Sequence, residues 1–138
     1  MKQVLIVDDE PISRELIRAM LNRYGYSVVG EAADVPTALE YCDSRQPEIV
    51  LFDLELRDGD GMAMLVELRA RHPGIVAVIV TGMAHADLMQ EAREKGAHEF
   101  LVKPFNTTRL IQTIESAIEN FAGHRTPRLI SVVGGRKG

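Results

Sequence analysis

The sequence predicts an α/β fold, a doubly wound three-layer (βα)5 sandwich on a parallel sheet. Three observations predict it. Five short apolar runs rich in β-branched residues alternate with five segments of helical periodicity. The third run, Ile49–Phe52, is apolar without a break, as a strand covered on both faces should be. The 138 residues amount to one domain's worth of chain, long enough to bury a real core.

Each element has its own signature. Val4–Val7 is the first strand and ends at Asp8. Pro11 suits a first helical turn, and Ile12, Leu16, Met20 and Tyr24 follow at helical spacing until Gly25 stops the helix. Ser27–Ala32 is the second strand. Asp34 can cap a helix carrying Val35, Ala38, Leu39 and Cys42, which Pro47 ends. After the third strand comes Asp58-Gly59-Asp60-Gly61, then a helix with Met62, Leu65, Val66 and Leu68. Ile75–Val80 is the fourth strand, running into Thr81-Gly82, and a weaker helix over 86–95 stops at Gly96. Glu99–Val102 is the fifth strand, ending at Lys103-Pro104. Asn106 can cap a last helix with Leu110, Ile111, Ile114, Ala117, Ile118 and Phe121 on one side. Right-handed crossovers leave few windings, and the flavodoxin-like order 2-1-3-4-5 is the one expected. These units occupy residues 1–122; residues 123–138 read as a basic tail or linker.

Charge narrows the function. Residues 124–138 hold Arg125, Arg128, Arg136 and Lys137 and no acid; with those four set aside, 12 bases face 20 acids and the body carries −8. So acidic a body argues against general nucleic-acid binding. No apolar stretch has the length of a membrane span, and the N-terminus runs into acids where a secretory signal would be apolar. One cysteine, Cys42, fits a reducing cytoplasm and reads as a small core residue. The four histidines, His72, His85, His98 and His124, lack metal-ligand spacing and read as solvated or locally packed.

The chemistry collects at the carboxyl ends of the strands, where such sheets place their sites. Strand 1 delivers Asp8 and Asp9, with Glu10 next; strand 3 delivers Asp53, strand 4 Thr81 and strand 5 Lys103. Taken singly, each has a plain reading: a cap for the first helix, a turn residue, a surface lysine. Together they describe an acidic basin whose like charges raise one another's pKa unless a cation intervenes. A hard divalent ion such as Mg²⁺ takes oxygen ligands of this kind. Lys103 adds a second positive charge, Thr81 a hydroxyl for a phosphoryl oxygen, and a carboxylate is a competent nucleophile for an acyl phosphate.

These residues give the chain a resemblance to the CheY-like receiver domains of two-component response regulators. The matching pieces are VLIVDDE at 4–10, IVLFDLEL at 49–56, DGDGM at 58–62, VIVTG at 78–82 and FLVKPF at 100–105, and the likeness covers residues 2–122. The resemblance implies that Asp53 is the phosphoacceptor, that Asp9 and Asp53 bind Mg²⁺ directly with Asp8 acting through water, and that the Glu55 backbone carbonyl is a third protein ligand. It implies that Thr81 and Lys103 read the phosphoryl group, that Phe100 is the switch aromatic, and that the Lys103–Pro104 peptide is cis. It further implies a sensor histidine kinase or phosphotransfer protein as donor. The output would be a downstream protein or covalently linked domain, reached through the helix 4–strand 5–helix 5 face, where Met83, His85, Met89, Arg93 and Arg109 lie. The implied role is that of a phosphoryl acceptor and switch, not of an enzyme beyond its own phosphotransfer and dephosphorylation. One departure is Arg57, where the family often has proline.

Rival readings are a receiver fold used only for docking, a haloacid dehalogenase-type phosphatase and a flavin module. The phosphatase wants a second aspartate two residues after the first, where Glu55 stands, and the flavin module wants a Ser/Thr/Gly-rich first turn, where Asp8-Asp9-Glu10-Pro11 stands. Homodimerisation through the last helices is left open. The closing ISVVGGRKG resembles the opening strand and loop of MinD- and ParA-type ATPases, which follow receiver-like domains in pilus-assembly proteins of the Cpa/Tad type. On that likeness the chain would be the N-terminal regulatory part of such an ATPase.

Overall fold

A computed structural model of the chain describes residues 2–56, 60–82 and 85–125, with 124 and 125 described by their backbone alone. The Arg57-Asp58-Gly59 part of the third loop, Met83, the His124 side chain and the ATPase-like tail lie outside the described residues. Among the described residues ten elements alternate: β1 (Gln3–Val7), α1 (Pro11–Arg23), β2 (Ser27–Ala32), α2 (Val35–Arg45), β3 (Ile49–Asp53), α3 (Gly61–Arg71), β4 (Val76–Thr81), α4 (Ala86–Glu94), β5 (Glu99–Val102) and α5 (Thr107–Arg125). The five strands form one parallel sheet in the order β2-β1-β3-β4-β5, the doubly wound order expected.

Strand alternation divides the core in two. Val4, Ile6, Ile49, Leu51, Val76, Val78, Val80 and Leu101 face α1 and α5. Leu5, Val7, Val50, Phe52, Ala77, Ile79 and Phe100 face α2, α3 and α4. Every residue of β3 and β4 is buried. At about 1.5–3 kcal/mol per fully buried Leu, Ile or Phe, these two layers supply the main driving force for the fold.

Local signals set most boundaries. Asp34 Oδ1 accepts from Thr37 N at 2.8 Å, Asp60 Oδ1 from Met62 N at 2.9 Å and Asn106 Oδ1 from Arg109 N at 2.8 Å, capping α2, α3 and α5. Gly25 (φ +82°) and Gly96 (φ +109°) take the left-handed backbone that ends α1 and α4. α5 continues to Arg125, and β4 runs from Val76 through Thr81, one residue later than expected.

α1 departs from the expected pattern. Ile12, Leu16, Met20 and Tyr24 stand at helical spacing as read from the sequence, but the stripe is not the buried face: Ile12, Leu16 and Tyr24 are 73%, 56% and 55% exposed. Ile17 and Leu21 are buried instead. The reason is a charge cluster on the inward side. Arg14 Nε and Arg18 Nε donate to Glu31 of β2 at 3.0 and 2.7 Å, which rotates that face toward the sheet. Val66 on α3 is likewise exposed, while Met64, Leu65 and Leu68 are buried.

Candidate functional site

The strand ends bring Asp8, Asp53, Thr81 and Lys103 to one rim. Asp53 is the last residue of β3 and Thr81 of β4; Asp8 and Lys103 follow the last residues of β1 and β5. Asp8, Asp53 and Thr81 are all buried, so each charge or hydroxyl needs a partner. Lys103 Nζ supplies one to both carboxylates: it donates to Asp53 Oδ2 at 2.8 Å and to Asp8 Oδ2 at 3.1 Å. Burial alone would lower the Lys103 pKa, but hydrogen bonds and charge from Asp53, then Asp8, outweigh it and hold the ammonium above its ordinary value.

Backbone donors complete the two aspartates. Glu55 N donates to Asp53 Oδ1 at 2.8 Å, and Glu10 N donates to Asp8 Oδ1 at 2.9 Å. The carboxylates are therefore clamped at one oxygen and held by Lys103 at the other. Capping of α1 does not explain the acidic run: Glu10 stands at the N-cap without a side-chain capping bond. Glu55 turns its side chain across the rim, where Oε1 accepts weakly from Gly82 N at 3.4 Å. The Lys103–Pro104 peptide is cis, and Lys103 N donates to Thr81 O at 2.9 Å, tying the two strand ends together.

Two features of the rim escaped sequence reasoning. The Nη1 of Arg14 donates to the Asp8 carbonyl oxygen at 2.5 Å while its Nε holds Glu31, so α1 fixes the backbone that carries the first two acids. The exposed Leu16 lines a cleft of about 230 Å³ with Ser13, Met20, Lys103, Pro104 and Phe105, immediately beside Lys103. Phe100 is buried, and the Arg93 guanidinium lies over its ring at 5.0 Å. Of the expected output face, His85 precedes α4, Met89 packs partly against the core, and Arg109 lies in the first turn of α5.

Among the described residues no group of three or more His, Cys, Asp or Glu side chains converges as a metal cage. The donor chemistry still suits a hard cation. Two buried carboxylates share a single ammonium and so leave net negative charge at an all-oxygen rim. His98, one of the histidines expected to be solvated or locally packed, is buried and accepts from Ala77 N through Nδ1 at 3.0 Å.

Residues 4–115 match the family described as the response regulator receiver domain. The chain belongs to that family. It is 35% identical over 120 residues to the transcriptional regulatory protein PdtaR of Mycobacterium tuberculosis, a match covering 87% of this chain and 58% of that protein. It therefore spans little more than half the length of that relative. It is 31% identical over 117 residues to the chemotaxis protein CheY of Listeria monocytogenes, covering 85% of this chain and 98% of CheY. A CheY-like receiver domain crystal structure from Methanospirillum hungatei superposes with a TM-score of 0.79 at 28% identity, covering 87% of this chain and 96% of that one. Receiver domains are regulatory modules rather than conventional enzymes; they take up Mg²⁺ for phosphorylation and work with histidine kinases and effectors or output domains. Among the described residues of this receiver domain, no helix is long and apolar enough to cross a membrane.

Proposed function

We propose that this receiver domain accepts a phosphoryl group on Asp53, delivered from a histidine of a sensor kinase or phosphotransfer protein. The observation that carries the proposal is the bridge from Lys103 Nζ to Asp53 and Asp8, which sets one nucleophilic carboxylate in a compensated, backbone-clamped position. Asp53 Oδ2 attacks phosphorus. The O–P bond forms, the N–P bond of the donor imidazole breaks, and the imidazole leaves with the electron pair and takes up a proton. Lys103 then serves the phosphoryl oxygens instead of the free carboxylate, and the Thr81 hydroxyl donates to another of them.

Asp9, Asp53 and the Glu55 backbone carbonyl would hold Mg²⁺, with Asp8 acting through water. Bound there, the ion supplies charge neutralisation for the phosphoryl oxygens. The donor's approach is guided by the apolar cleft of Leu16, Met20 and Phe105 beside Lys103, with Ile12 exposed on the same helix. A helix bearing the donor histidine suits this surface, because it presents apolar area next to the acceptor. The added charge, about −1.5 to −2 at pH 7, draws Thr81 inward and lets Phe100 turn, changing the α4–β5–α5 face that a downstream protein or linked output domain reads. Residues 1–122 would form the receiver unit, residues 123–138 a basic tail or linker, and the site would work in the cytoplasm.

The test is phosphorylation by acetyl phosphate with Mg²⁺, read by intact mass. The wild type gains one phosphoryl group, and neither Asp53→Asn nor the metal-free wild type gains it. Equal gain by Asp53→Asn, or no gain by the wild type, would sink the proposal.

A further inference from the structure

The end of the sheet opposite Asp53 carries charge that the phosphoryl site does not use. Arg69 of α3 runs its stem over Gly96, so closely that a Cβ there would overlap Arg69 Cγ and Cδ. Its Nη2 donates to the carbonyls of His72, at 3.1 Å, and Ile75. These contacts fix the guanidinium, but they offer it no negative charge. Arg69 Nε is buried and has no hydrogen-bond partner. Burial lowers the Arg69 pKa, and no carboxylate acts against that. An uncompensated, half-buried guanidinium is costly unless an anion reaches it.

Arg69 lines a cavity of about 280 Å³ with Arg93, His98, Ala97, Pro73 and Phe121. Arg93 also has no carboxylate partner among the described residues; its guanidinium lies over the Phe100 ring. Glu119 lines an adjoining cavity that Arg93 also borders. Two guanidiniums therefore border one space, with Phe121, Pro73 and Ala97 as an apolar wall.

We infer that this cavity is an anion site for a small phosphate compound, its phosphate between Arg69 and Arg93 and its organic part against Phe121. Guanidinium forks match phosphate oxygens in geometry and charge, and two of them match its double charge. Occupancy is felt at Phe100, because the same Arg93 guanidinium that meets the anion lies over that ring. The inference stands on Arg69, Arg93 and the cavity, and is independent of phosphorylation at Asp53.

Titration of the full chain with inorganic phosphate and with phenyl phosphate in Mg²⁺-free buffer, followed by NMR, tests it. Saturable shifts are expected at the Gly96, Ala97 and His98 amides and the Phe100 ring, with phenyl phosphate binding more tightly. Asp53→Asn leaves them unchanged, which separates this cavity from the acidic rim. Arg93→Gln, a change at an exposed position compatible with folding, weakens binding about tenfold, the loss of one charged hydrogen bond. Shifts that do not saturate, unchanged affinity in Arg93→Gln, or loss of the shifts in Asp53→Asn would each overturn it.

Discussion

Replacing Lys103 with Met tests how the acidic rim is held together. The substitution keeps most of the stem but leaves Asp8 and Asp53, whose side chains are 3% and 7% exposed, facing one another without the shared ammonium. At contacts of 2.8 and 3.1 Å, each attraction amounts to about 5–6 kcal/mol before desolvation at an effective dielectric of about 20. Desolvation removes much of that, and breaking a buried pair from one side costs about 3–5 kcal/mol. The lysine side chain is 26% exposed, so water enters after its loss and the lower end, about 3 kcal/mol, is expected. Urea denaturation in metal-free buffer at neutral pH measures it. Two interventions should return most of the loss: saturating Mg²⁺, and Asp53→Asn in the Lys103→Met background, which removes one of the stranded charges. The pH dependence has a definite sign. Lys103 is raised in the folded state, so its contribution is complete below the ordinary lysine value of 10.5 and fades only as pH rises through the still higher folded value. A loss under about 1 kcal/mol, or the same loss with Mg²⁺ and in the Asp53→Asn background, would refute the account of Lys103 as the resident counter-ion.

Other residues give shorter tests. Arg14→Ala should cost about 1 kcal/mol in urea denaturation. It should also raise the Glu31 pKa in an NMR titration: burial favours a higher value there, but hydrogen bonds from Arg18 and Arg14 hold it down. Because that folded pKa is depressed, the Glu31 contribution is present at neutral pH and is lost as pH falls through the folded value. Gly96→Ala should destabilise by more than Gly25→Ala. Both impose positive φ on alanine, at about 1 kcal/mol, but only at Gly96 does the new Cβ meet a side chain, that of Arg69; thermal unfolding of the two variants ranks them. Cys42 should resist alkylation in the folded protein and react in urea, since burial, with some help from Asp43, pushes its thiol up to about 11.

Much of the fold is legible in the chain because a parallel sheet buried on both faces needs apolar strands, and the helices between them begin at Asp34, Asp60 and Asn106 with side chains that cap. α1 shows where legibility fails. Apolar periodicity pointed to Ile12, Leu16 and Tyr24, and tertiary packing chose the neighbouring arc of Ile17 and Leu21. Arg14 and Arg18 lie toward the sheet because Glu31 of β2 waits there. No local pattern reports a partner 13 or 17 residues away on another element.

The same distinction explains the site. Asp8, Asp53, Thr81 and Lys103 stand out because each ends a strand or directly follows one, and a parallel sheet sends all such ends to one side. What the strand ends do to one another depends on side-chain reach. Lys103 could have extended into solvent; instead it spans Asp8 and Asp53 and leaves the described residues without a ready-made metal cage. In this arrangement the lysine and a divalent ion would serve the same negative charge. On the proposed function, metal uptake would loosen the Lys103 bridge or share it, and the ammonium would then be at hand for phosphoryl oxygens at Asp53. Mg²⁺ affinity measured by calorimetry should accordingly rise in Lys103→Met, by roughly tenfold if about 1.4 kcal/mol of competition is removed. A fall in affinity would mean that the lysine organises the carboxylates for the ion rather than competing with it.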